Sequence, residues 1–354
     1  MKRQKTLTVL SWLIAALALL AAGAGVLTSL LWQGGGTEHY AFTSLRGGMV
    51  QIWGGGGLYR FDSAGGAPQE IGQDLVTLII GIPLLIVASV LASRGRLRGK
   101  VLLAGTLGYF LYTYTSMSML TAYNELFLVY VALMSLCLFA FIMALMAIDV
   151  AALPAHFSAQ FPRRTVAGFA LFLGAMLGML WLKLIVPALV AGTPPVGLDS
   201  YSTLVIQALD LGVIAPTAIL TGVLLLRREA LGYLLSSVVL VIGLTMGAAL
   251  FAMSIAQIVA GAVVDPVAIV LFTTLAAVDA ALTIRLLSSI SEVPRGGQLI
   301  PGRAAPPVTS APRVPVLPPG GHAPSPPNGK AAFKVEGTED MQTQFATAAK
   351  PHKA

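Results

Sequence analysis

Residues 203–226 read TLVIQALDLGVIAPTAILTGVLLL, an apolar run with a single charge, Asp210, set seven residues inside it. At 1.5 Å per residue the run is long enough to cross about 30 Å of hydrocarbon as a helix. Thr203, Gln207, Asp210, Thr217 and Thr221 fall at helical spacing, so a regular helix would gather them on one stripe. A carboxylate in such a place is expensive, about 2.5–3.5 kcal/mol near the centre of a span, and therefore a candidate site.

Similar runs occupy residues 7–32, 74–92, 101–119, 126–148, 165–190, 231–259 and 266–288. Composition agrees: 56% of the chain is hydrophobic and 10% charged, where soluble domains carry about 25% charge. The fold class expected is an all-α integral membrane protein, a polytopic bundle of about eight transmembrane helices. Its parts are an N-terminal transmembrane helix (1–32), an extracytoplasmic Gly-rich loop (33–73), the transmembrane bundle (74–290) and a Pro-rich disordered tail (291–354).

Basic residues set the orientation. Lys2, Arg3 and Lys5, then Arg94, Arg96, Arg98 and Lys100, then Arg163 and Arg164, Arg227 and Arg228, and finally Arg285 and Arg295 all fall on one side if the helices alternate. Connections 120–125, 191–202 and 260–265 carry neither Lys nor Arg. The positive-inside rule then places both termini in the cytoplasm of a multi-pass cell-membrane protein. The net charge of +7 is spread over these turns instead of forming a nucleic-acid face. Ala22-Gly23-Ala24 also resembles a signal-peptidase site, but the apolar stretch continues to Trp32, which favours a retained first helix. Cleavage would leave seven helices.

Pro83, Arg94 and Gly99 have the same mutual spacing as Pro216, Arg227 and Gly232. If this reflects duplication, helices one to four and five to eight are 4+4 parallel repeats. Small residues at four-residue spacing, Ala170, Gly174 and Gly178 on one helix and Gly243 and Gly247 on another, allow close packing.

Lys183 lies on the preceding run, about seven or eight residues before its outer end, at a depth of about 10–12 Å that matches Asp210. An ion pair between the two is the cheapest way to keep both charged, and lipid-facing snorkelling of the lysine is the alternative. Pro187 leaves the carbonyl of Lys183 without its helical donor, and Pro216 does the same to Gly212. Tyr109, Tyr112, Thr113 and Ser116 give the third helix a polar face of its own. Asp279, deeper toward the cytoplasmic side, is a secondary candidate, with basic residues of the inner turns as expected partners.

Asp74, Asn124, Glu125, Asp199 and Asp265 read as helix N-caps, the last strengthened by Pro266. In the outer loop, 49–53 and 58–62 flank four glycines as a short hairpin. Glu38, His39, Asp62 and Glu70 lack metal-ligand spacing, and the single cysteine, Cys137, offers no disulfide or cluster. No HExxH, GxSxG or Walker sequence is present, so no metal or other cofactor is expected. The run PRVPVLPP (312–319) in the tail suits polyproline II and a protein partner.

The function expected is binding or translocation of a small solute or ion through a polar interior of helices three, five and six. The alternative is a scaffold or sensor using its outer loop and tail. Third comes an enzyme acting on a lipid-linked substrate with Glu38, Glu70 or Asp74 as outer acids, although enzyme activity is the weaker expectation.

Overall fold

A computed structural model describes residues 2–31, 40–54, 56–262 and 264–293. The proline-rich tail and the Glu38–His39 pair lie outside the described residues.

The long apolar runs are helices. In chain order these are α1 (Lys2–Leu31), α2 (Gly66–Val76), α3 (Ile82–Ser93), α4 (Leu97–Met119), α5 (Phe127–Leu145), a short α6 (Leu153–His156), α7 (Arg163–Ala191), α8 (Val205–Leu209), α9 (Ala215–Leu226), α10 (Ala230–Val259) and α11 (Pro266–Ser289). A π turn, Thr77–Gly81, joins α2 to α3, and another, Asp210–Ile214, joins α8 to α9, so each of these makes one continuous rod. Among the described residues seven rods are long and apolar enough to cross a bilayer. The eighth, α4, has 23 residues but is less apolar. The reason is its position: α4 packs against α3, α5 and α10, so its tyrosines and threonines face protein where lipid would demand hydrocarbon.

Helix α2 begins eight residues before the apolar run at 74, because Gln69, Glu70 and Gln73 sit in its first turns. Asp74 is therefore interior to a helix and caps nothing. Asp265 does cap, accepting from the Val267 amide at 2.9 Å, and Asn124 accepts from Leu126 at 2.9 Å. Glu125 instead pairs with Arg60.

The two halves follow one plan. The π turns Thr77–Gly81 and Asp210–Ile214 lie at the same offset as Pro83 and Pro216, and so do the starts of α4 and α10. Neither proline can donate to the carbonyl one turn earlier. The chain answers with i→i+5 bonds, Ile82 N–H to the Thr77 carbonyl and Ala215 N–H to the Asp210 carbonyl. The following turns match bond for bond: Arg94 to Val90, Gly95 to Ala92 and Arg96 to Leu91 recur as Arg227 to Val223, Arg228 to Leu225 and Glu229 to Leu224. Gly95 and Arg228 both take positive φ, +78° and +61°.

The halves meet where α10 packs on α2 and α4. Gly105 and Gly108 of α4 admit Val241 and Ile242, and Gly72 of α2 lies against the backbone of Met253. Gly174 admits Ala215 and Ile219, while Gly178 faces open space.

Outside the bundle, β1 (Tyr40–Thr43) pairs antiparallel with β2 (Met49–Ile52). The hairpin thus turns at 44–48. The glycine loop expected as its turn is closed by separate bonds, Trp53 N–H to the Asp62 carbonyl and Gly54 N–H to the Arg60 carbonyl.

Candidate functional site

Asp210 is the first residue of the second π turn and is 6% exposed. Its Oδ1 accepts from the Tyr112 hydroxyl and its Oδ2 from the Trp181 indole N–H, each at 2.8 Å. The ion pair expected with Lys183 does not form. Trp181 and Lys183 are two residues apart on α7 and so project to nearly opposite sides. The indole takes the inner side, and Lys183 is exposed. Physically this is the cheaper choice: a tryptophan N–H needs an acceptor when buried, whereas a lysine about 12 Å from the helix end reaches the headgroups with its stem in lipid.

The expected polar stripe is also broken. Thr203 is exposed and precedes α8, and Gln207 is half-buried. The residue added by the π turn rotates everything after it, so Thr217 and Thr221 leave the Asp210 face. Thr221 donates to the Thr217 carbonyl within its own helix. Among the described residues, no side-chain hydrogen bond joins Thr203, Gln207 or Thr217 to Asp210.

The face on α4 divides between the halves. Tyr112 turns to Asp210, while Tyr109 accepts from the Gln73 amide at 2.7 Å and lies 3.0 Å from the Thr77 hydroxyl. Gln73 also reaches Thr113 at 3.1 Å. Thr77 opens the first π turn as Asp210 opens the second, so each half presents its first π residue to a tyrosine of α4.

Two more carboxylates are enclosed. Asp279, 3% exposed, accepts from Thr283 at 2.9 Å and rests on Gly243, in place of the basic partners expected for it. Asp74, 1% exposed, accepts from the Tyr59 hydroxyl at 2.5 Å and rests on Gly25.

At the outer end Asp62 is buried, its Oδ1 accepting from the Ala122 amide at 2.8 Å and the Tyr201 hydroxyl at 3.2 Å. Glu70 accepts from Thr121 at 3.1 Å, one residue from Ala122. Burial pushes the Asp62 carboxyl up to about 6, against the two hydrogen bonds that lower it. Burial and the nearby Asp74, Tyr130 and Glu70 hold the Tyr59 phenol well above its ordinary range. Asp62 thus binds its proton more tightly folded than unfolded, so its contribution to stability is complete below the unfolded value near 4 and is lost as pH rises through 6. The loss amounts to about 3 kcal/mol. Unfolding midpoints between about pH 4 and about pH 8 should fall for the wild type and fall less for Asp62→Asn; parallel curves would reject this assignment.

Two surface cavities, about 460 Å³ between Thr28, Gly57, Arg60 and Glu125 and about 480 Å³ along Pro266–Thr274, are lined by none of these acids. Among the described residues no group of His, Cys, Asp and Glu has metal-binding geometry.

Fold and interior together define the class: a polytopic α-helical membrane protein with carboxylates enclosed between its helices. No family model, no curated protein and no solved structure matches the chain.

Proposed function

We propose that the protein binds a small cation, a proton included, at Asp210 and moves it across the membrane. The observation that carries this reading is a carboxylate inside a span held only by neutral donors, at a π turn that loosens its helix. Neutral partners leave its charge open to neutralisation by an incoming ligand. Single π turns are found often at functional positions, because they supply an alternative hydrogen-bond register.

The basic ends support a cytoplasmic assignment of both termini. Arg98 donates to the Ile290 carbonyl, and Arg163 to the carbonyls of Leu225 and Leu226, so these turns share one end of the bundle.

Thermal unfolding of the purified protein in lithium, sodium, potassium or choline chloride, repeated across pH, tests the reading. The wild type should be stabilised saturably by one cation or by acid. With the acid response of Asp62 removed by Asp62→Asn in every protein compared, Asp210→Asn should lose that response, whereas Lys183→Met should keep it. A wild type indifferent to all cations and to pH, or an Asp210→Asn variant that responds fully, overturns the proposal.

A further inference from the structure

Among the described residues three buried polar atoms near the outer face have no well-aligned hydrogen bond: Asp62 Oδ2, and Asn124 Nδ2 and the Tyr130 hydroxyl, which lie beside each other. Their residues are 1%, 5% and 1% exposed. Buried polar groups are otherwise almost always satisfied, so such a trio points to a bound species. The three belong to one neighbourhood. Asp62 and Glu70 both bind the loop at Thr121–Ala122, Asn124 lies two residues further on, and Tyr130 stands beside Asn124 and Tyr59. Tyr59 in turn donates to Asp74.

No lysine or arginine among the described residues is bonded to Asp62, Glu70 or Asp74. Arg60, the nearest in sequence, is turned to Glu125 and the Gly57 carbonyl. This set mixes an acceptor, a donor and a phenol that is both. A bare metal would meet the amide hydrogens of Asn124, whereas water and protons satisfy all three.

Resting on the reading of Asp210 as a cation site, we infer that the cation is a proton and that this outer cluster of Asp62, Glu70, Asn124 and Tyr130 is where it loads. A hydronium ion of the outer solution gives its proton to Asp62 Oδ2, converting carboxylate to carboxyl and releasing water. Inward of it lie Glu70 and, one turn along α2, Asp74; beyond them on α4 stand Tyr109, which meets Gln73 and Thr77, and Tyr112, which donates to Asp210 of the second π turn. Tyr201 links the halves directly, since its hydroxyl meets Asp62 and its loop runs straight into α8. The groups facing Asp62 are Tyr201 and the Ala122 amide from the outer loops and Glu70 from α2. Its value near 6 suits loading from mildly acidic water.

Infrared difference spectra of the full-length protein in nanodiscs, titrated from about pH 4 to about pH 8, read this out. The wild type should show a protonated-carboxyl band that disappears with a midpoint near 6. Asp62→Asn should remove it, and Tyr201→Phe, which deletes a bond to the ionised form, should move the midpoint upward. Asp210→Asn should leave the band in place, so a failure at Asp210 stays distinguishable from a failure here. The inference is overturned by a wild type without such a band, by a band unchanged in both outer-site variants, or by one that sodium or ammonium chloride abolishes at fixed pH.

Discussion

Valine at Gly232 should abolish a monodisperse fold, and valine at Gly99 should do the same. A Cβ on Gly232 would stand 2.5 Å from the Leu225 nitrogen and 2.6 Å from the Leu224 carbonyl carbon; on Gly99 it would stand 2.5 Å from the Ala92 nitrogen. These are backbone atoms of the preceding helix, fixed by the three-bond turn between the helices, and no rotamer change relieves the overlap. Overpacking a core ordinarily costs about 1–3 kcal/mol where side chains give way. Here the helices must part, so alanine should reach at least that figure and valine should exceed it. Size-exclusion profiles and unfolding midpoints of the solubilised variants measure the effect, with Gly178→Val, whose Cβ meets open space, as the control. Wild-type behaviour of Gly232→Val would mean that the hairpin is not packed as described.

The second large effect belongs to Gly25. A Cβ there would overlap Asp74 Oδ2 and come within 2.8 Å of the Tyr59 hydroxyl. Alanine must displace the carboxylate and break its bond to Tyr59, which adds about 1–3 kcal/mol for an unsatisfied buried group to the overpacking cost. Shortening the acid makes room, so Gly25→Ala with Asp74→Ala should cost less than the two changes summed. Strict additivity in this double-mutant cycle would rule out the contact.

Most of the bundle was legible because spans announce themselves by length and apolarity. The runs at 203–226, 231–259 and 266–288 match their helices to within two residues. Where apolarity was a poor guide, the helix faced protein: the first turns of α2 carry Glu70 and Gln73, and the Asp74 reading failed for that reason. The spacing shared by Pro83, Arg94 and Gly99 with Pro216, Arg227 and Gly232 carried the repeat, and matching π turns and hairpin bonds now accompany it. Trp181 was missed, although an indole N–H beside a buried acid at the same depth was available as a signal.

The sequence by itself determined that the chain lives in lipid, where most of its spanning helices lie, and that Asp210 and Asp279 stand within them. Those properties follow from local composition, since an apolar helix satisfies its backbone without help from the rest of the chain. Only the tertiary structure decided which partner each acid meets. A π turn shifts the faces of α9 relative to α8, and the rotation of α7 chooses between Trp181 and Lys183. Both depend on how neighbouring helices seat against one another, a choice made between side chains far apart in sequence.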